Sequence, residues 1–365
     1  MKQSVLAGVV VAASGACAGA GGPTLRATIE AIGPYEGVNA SRMYINDAGD
    51  VVASFYGTSV NTIWTRHRDG TTFAYDTSGV NSTLAGLNER GEFLFTTSRV
   101  TAPGTRLVTL SSWRPGAGLE VLAEGTGVPN AVRGYNDAGQ TAATGVNGQP
   151  SYSAIAMQYQ PGAGFVALPG PGVQRFGYSV NQTGQTLMQF DYNSTQWASA
   201  VHTPGGDVRI VRHAGGANTT GRALNDRGDV VGYASVAGTS DHLAIVAFEG
   251  EASRMIGALA GHSVSTGEDI NNERWVIGRS GNERPFLWTE ATGMLDLNWL
   301  LPDDSGWQLR EVYDINNAGQ IVGMAYREGV GHVPFVLSVT LVPSPGGALS
   351  AVVLAGMCAA RRRRG

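Results

Sequence analysis

Lysine is all but missing from this chain: the only one is Lys2. Cysteine is nearly as scarce, with Cys17 and Cys358 both in apolar terminal stretches. The central region therefore has no means of forming a disulfide framework or a cysteine-based metal site. Charged residues make up only 15% of the chain. Long alternations of Ala, Glu, Lys and Leu are missing, which argues against a helical protein. No Asp or Glu precedes Glu30 or follows Glu328, and four Arg stand together at the extreme end. The stretch between the ends therefore holds 29 acidic against 20 basic residues, a net of −9. Nucleic-acid binding wants a basic face, so an acidic body argues against it. The same body is compatible with neutral glycans, cations or plain solubility.

Glycine is what the chain has in excess, with 52 residues. That suits many short strands joined by tight turns, because glycine supplies the positive φ angles that turns need. The two ends read as addresses. Lys2, the apolar run Val5 to Ala13 and the small residues Ser14 to Ala20 make the pattern of a secretory signal peptide over residues 1–20. Signal peptidase would cut after Ala18 or Ala20; a lipoprotein reading through Cys17 is the alternative. At the other end, residues 342–365 run Val342, Pro343, Ser344, Pro345, Gly346, Gly347, then the apolar stretch Ala348 to Ala360, then Arg361, Arg362, Arg363 and Arg364. The apolar stretch is short against the ~20 residues of a free-standing span. The arginines would hold its end in the cytoplasm. This order resembles the PEP-CTERM sorting tail of exported bacterial proteins, with Ser344 where that family carries Glu. The resemblance implies recognition by an exosortase, removal of the tail, and a membrane-anchored precursor that becomes a cell-surface or extracellular protein. A retained C-terminal anchor is the other reading.

Residues 21–341 are dominated by a repeat. An apolar residue, Asn, two mostly polar residues, Gly, a polar residue and a usually apolar pair recur seven times. The Asn positions are Asn46, Asn88, Asn136, Asn181, Asn225, Asn271 and Asn316, spaced by 42, 48, 45, 44, 46 and 45 residues. The Gly positions are Gly49, Gly91, Gly139, Gly184, Gly228 and Gly319, with Arg274 in the sixth copy. The motif reads as a hairpin turn: Asn bonds backbone amides through its side chain, and Gly takes the left-handed position. Cation binding by Asn and Asp is the competing reading. It fails for want of carboxylates, since Asn181-Gln182-Thr183-Gly184 carries none.

Each copy holds a second hairpin, as in Trp113 to Leu122, Tyr159 to Leu168 and Trp288 to Leu297. Four strands in about 45 residues is the arithmetic of a β-propeller blade. The expected fold is all-β, a seven-bladed propeller. Leu25 to Ile32 should supply the strand that the last blade lacks, and so close the ring. Arg274 should adopt the left-handed conformation, so that replacing it by Gly is neutral or mildly stabilising.

The repeat resembles the HAF family of extracellular repeats. The residues that carry the resemblance are Leu295-Asp296-Leu297-Asn298 through Leu301-Pro302, Ser305-Gly306-Trp307, and Asp314 through Gly323. It implies an exported propeller-like domain and lends no catalytic residues.

No catalytic, cofactor or metal residue is assigned. His67, His202, His213, His242, His262 and His332 show no paired metal spacing. A nucleophile elbow is missing. Asp303-Asp304 reads as an exposed turn, Arg66-His67-Arg68 as a solvated hairpin tip, and most Trp and Tyr as core. The expected function is a non-catalytic binding or structural role at the cell surface, with a glycan or another exported protein as partner. The alternative is a secreted lyase or hydrolase acting on polysaccharide. Acids or His converging at the mouth of the channel would favour the enzyme.

Overall fold

The computed structural model describes residues 11–13, 24–33, 39–56, 61–146, 153–193, 195–215 and 218–342. It is an all-β propeller of seven blades, each built on a four-stranded antiparallel meander. The one helical element among the described residues is the short 3-10 turn Leu297–Leu300. Blade 1 is Asn39–Ile45, Val51–Tyr56, Asn61–Arg66 and Thr72–Asp76, running from the axis outward. Blade 6 is Ser265–Ile270, Val276–Ser280, Arg284–Thr289 and Gly293–Asp296. Blade 7 is Trp307–Ile315, Gln320–Arg327, Gly331–Val342 and, returning from the other end of the chain, Thr24–Ala31.

That last strand runs from Thr24 opposite Val342 to Ala31 opposite Phe335. Successive side chains on a strand face opposite sides, and Leu25, Ala27 and Ile29 enter the core beside Phe335, Leu337 and Val339. A fully buried large aliphatic side chain contributes about 1.5–3 kcal/mol. Closure is therefore a large part of a domain's net stability of about 5–15 kcal/mol. A further short strand, Val11–Ala13, pairs along the outer edge of Thr24–Ala31 and falls inside the expected leader. Pro343, Ser344, Pro345 and Arg361 to Arg364 lie outside the described residues. Among those described, no helix is long and apolar enough to cross a membrane.

Every repeated Asn sits in the turn between the first and second strands of its blade. The Asn46 N–H donates to the Asp50 carbonyl at 3.1 Å, and the Gly49 N–H donates back to the Asn46 carbonyl at 3.0 Å. The Asn46 Oδ1 accepts the Asp50 N–H at 2.9 Å. The same three bonds recur in the other six turns. The fourth turn residue has φ of 84° at Gly49 and 62° at Arg274, the only non-glycine residue with positive φ among the described residues.

The turns also hold the blades to one another. The Asn46 Nδ2 donates to the Asn88 carbonyl at 3.1 Å, and Asn316 closes the circle on the Asn46 carbonyl at 2.9 Å. Asn136, Asn181, Asn225 and Asn271 make the same bond to the next blade. A second circle is complete. The residue after each Asn donates its N–H to the side chain of the equivalent residue one blade on: Asp47 to Glu89, Glu89 to Asp137, Asp137 to Gln182, Gln182 to Asp226, Asp226 to Asn272, Asn272 to Asn317 and Asn317 to Asp47. The distances lie between 2.7 and 3.0 Å.

Two sequence readings are corrected here. Arg66-His67-Arg68 is a hairpin tip, but not a freely solvated one: His67 stacks on Trp113 of the next blade and approaches Asp50 at 3.4 Å, and Arg66 pairs with Glu30 at 2.7 Å. Arg274 is held by more than its turn, with its Nε 3.0 Å from the buried Asp229 carboxylate and its guanidinium 4.0 Å from the Phe248 ring. Its replacement by Gly removes an ion pair along with the backbone strain, so it is not neutral.

Candidate functional site

The seven inner strands surround an axial channel with two unlike mouths. At the turn mouth four of the seven repeated Asn, Asn181, Asn225, Asn271 and Asn316, line a depression of about 190 Å³. Asp47, Glu89, Asp137 and Asp226 stand in the second circle described above. Asp269 and Asp314 lie one step further in, where Asp314 Oδ2 accepts the Ile45 N–H at 2.8 Å and Asp269 Oδ2 the Ile315 N–H at 3.0 Å. Burial raises the pKa of both, Asp269 well above the usual carboxylate range and further pushed by the Asp314 charge. Glu89 is pushed up to about 7, by burial first, with the Asp47, Asp137 and Asp314 charges adding to it. These carboxylates are occupied in joining blades, and no group of three or more His, Cys, Asp or Glu among the described residues is arranged to hold a metal.

The opposite mouth opens into a cavity of about 580 Å³. It is lined by polar residues that occur once each, not in every blade. The inner strands carry a β-bulge, which inserts one extra residue and re-aims its side chain. Tyr178, Arg222, Glu268 and Tyr313 are each the extra residue of such a bulge. The bulge pushes backbone toward the neighbouring strand, which explains the Gly after the apolar pair in the last three copies. A Cβ on Gly232, Gly278 or Gly323 would stand 1.9, 2.1 or 2.0 Å from the carbonyl oxygen of Thr220, Thr266 or Glu311.

Glu268 faces Arg222 at 4.0 Å and Arg279 at 3.5 Å. Its pKa is raised by burial, against the pull of those arginines. The Tyr313 hydroxyl is hydrogen-bonded to the Glu311 carboxylate and lies 3.0 Å from the Ala40 carbonyl oxygen. Burial, and then the Glu311 bond, push its pKa up, so it stays a neutral phenol and a proton donor.

From this mouth a groove runs outward over blades 6 and 7. Asn282, Glu283 and Arg310 form the shared wall between the mouth and the next depression. His262 and Arg284 link that depression to a third, walled by Trp299. Trp299 is 57% exposed, and Tyr56 and Tyr326 at the mouth are 47% and 41% exposed. The segment Asp296-Leu297-Asn298 is what presents Trp299. Asp296 caps the 3-10 turn by accepting the Asn298 N–H at 2.9 Å, and it pairs with Arg284 at 2.9 Å. Asn298 Oδ1 then accepts the Leu309 N–H at 2.8 Å, tying the turn to blade 7.

Reasoning from the repeat found the residues of the turn mouth and missed those of the opposite one. A signal was present, though. Three residues before the repeated Asn, Met43 and Ala85 give way to Arg133, Tyr178, Arg222, Glu268 and Tyr313, polar residues where a strand needs no polar group.

Compared with family models and with curated proteins, the chain matches none. Among solved structures it is similar to virginiamycin B lyase from Staphylococcus aureus, a catalytically inactive variant with quinupristin. The TM-score is 0.55 at 10% identity, over 86% of this chain and 99% of that one. It is also similar to prolyl oligopeptidase B from Galerina marginata, with a TM-score of 0.56 at 9% identity, over 84% of this chain and 52% of that one. A likeness this distant concerns the propeller fold; function must be argued from the site.

Proposed function

We propose that this propeller is the non-catalytic binding domain of an exported cell-surface protein, and that it takes a glycan across the mouth opposite the turns. The carrying observation is the row of exposed aromatics, Tyr56 and Tyr326 at the mouth and Trp299 at the far end of the groove, interleaved with amide, carboxylate and guanidinium groups. Aromatic faces give sugar rings an apolar platform, and the polar groups between them fix orientation. Export is supported by the N-terminal signal pattern and by the tail that resembles PEP-CTERM, through which an exosortase would process the protein.

One observation favours a second reading, an enzyme acting on polysaccharide. Tyr313 with Glu311, beside Glu268 and its arginines, places a proton donor and carboxylates at the mouth of the channel. A screen of the purified chain on a glycan array, beside lyase and hydrolase assays on the same sugars, tests both. Binding without turnover, weakened at least tenfold by Trp299→Ala, is the expected result. Turnover abolished by Tyr313→Phe would make the protein an enzyme, and absence of any sugar binding would remove the glycan reading.

A further inference from the structure

Resting on that reading, we infer that the ligand is anionic, and that Arg42, Arg133 and Arg222 hold its acidic group, a sugar carboxylate, inside the axial channel. The three arginines belong to inner strands: Asn39–Ile45 of blade 1, Ala131–Arg133 of blade 3 and Thr219–Leu224 of blade 5. They therefore approach the axis from different directions around the ring. Their charges are poorly matched by the protein. Arg222 faces Glu268 at 4.0 Å, but Glu268 is shared with Arg279. Arg42 and Arg133 make no ion pair among the described residues. Arg42 reaches the Tyr44 hydroxyl, at 3.5 Å, and otherwise shares the charge of Glu268 with Arg222 and Arg279, while Arg133 reaches the face of Tyr178, with its Cζ 5.0 Å from the ring centroid.

Partly buried arginines are ordinarily paired, because a desolvated cation without a partner is costly. Here the cations also repel one another: burial, then Arg42 and Arg222, hold the Arg133 pKa below the usual guanidinium range. A layer in which one carboxylate, Glu268, serves several arginines is notable in a body of net charge −9. A carboxylate placed among these groups relieves the repulsion and accepts charge-assisted, two-point hydrogen bonds from the planar guanidiniums. Of the three arginines Arg222 lines the mouth cavity from which the aromatic groove runs, so an acidic sugar of a polymer entering there meets its guanidinium first.

Calorimetric titration of the purified chain tests this, using hexamers of galacturonate and of mannuronate, the neutral cellohexaose, and inorganic sulfate. An acidic hexamer should bind at least tenfold more tightly than cellohexaose, and Arg133→Gln should remove that advantage. Arg133→Gln should melt at or above the wild-type temperature, because it relieves repulsion. Equal binding of acidic and neutral hexamers, untouched by Arg133→Gln, would overturn the inference and leave the glycan reading standing. Binding of sulfate alone, lost in Arg133→Gln, would overturn the sugar carboxylate. Absence of binding by every probe would overturn both readings. A fall in melting temperature of several degrees for Arg133→Gln would make the cluster structural and overturn the inference as well.

Discussion

The two mouths of the channel are built by opposite rules. At the turn mouth every blade contributes the same atoms: an Asn amide to the next carbonyl in six of seven junctions, and a backbone N–H to the next side chain in all seven. At the opposite mouth no two blades contribute the same set, and the polar groups crowd toward blades 6, 7 and 1, with Arg222 from blade 5. A feature repeated around a ring serves the ring, since each junction needs it equally. A feature present once serves something that is not seven-fold.

The comparison breaks most readily at the seam. Deleting residues 24–31 opens blade 7 and exposes its core around Phe335 and Leu337. Loss of a cooperative thermal transition is expected, because the closing strand accounts for a large part of the net stability. A deletion variant that melts like the wild type would show that the ring is held by its turns alone.

The next effect belongs to the turn conformation. Gly319 has φ of 77°, and a Cβ there would lie 2.6 Å from the Val339 carbonyl oxygen. Gly319→Val should cost about 2–3 kcal/mol, combining left-handed strain with that clash. Gly70, also at positive φ but with open space around it, should tolerate Ala at a cost of about 1 kcal/mol. Thermal melts of the pair separate strain from collision, and equal losses would refute the distinction.

Arg274→Gly comes third. It relieves the strain of φ 62° but strands Asp229, whose side chain is fully buried and retains only the Asn225 amide and the Glu249 N–H. Because leaving a buried charge unpaired costs more than the strain, a net loss of about 1–2 kcal/mol is expected. Adding Asp229→Asn should recover most of it. A single variant as stable as wild type would mean that the ion pair contributes nothing.

The smallest effect is one of pH. Glu89 has its folded pKa raised to about 7, above the ordinary value for a carboxyl group. The folded state therefore binds more protons than the unfolded state between those two values. The contribution of Glu89 is fully present below the lower value and is lost as pH rises through about 7. Its position at the exposed rim damps the effect through solvent screening. Glu89→Gln keeps an acceptor for the Asp47 N–H, as Gln182 does for Asp137. It should therefore flatten the decline in melting temperature across that window. An unchanged slope would assign the pH dependence to Asp269 and Asp314 instead.

The seven-fold pattern was legible because a tight turn places strict demands on its residues. Asn46 and Gly49 recur as types since few side chains bond the turn amides or accept positive φ. The closing strand was legible by subtraction, from an unpaired apolar stretch at Leu25 to Ile32. The opposite mouth was not, because Tyr56, Arg222, Glu268 and Tyr326 come from four blades, and only the ring brings them together. Trp299 was hidden differently: its segment, Asp296 to Leu301, reads as a family motif, and the hydrogen bonds that turn its indole outward appear only in three dimensions.

The division of labour between the mouths is tested most directly by hydrogen exchange of the purified chain with and without galacturonate hexamer and cellohexaose. The account predicts slowed exchange at the groove and opposite mouth, in residues 279–284, 296–300, 308–313 and 324–332, with the turns at 46–50, 88–92 and 316–320 unchanged. Protection confined to the turns, or spread evenly around all seven blades, would contradict it.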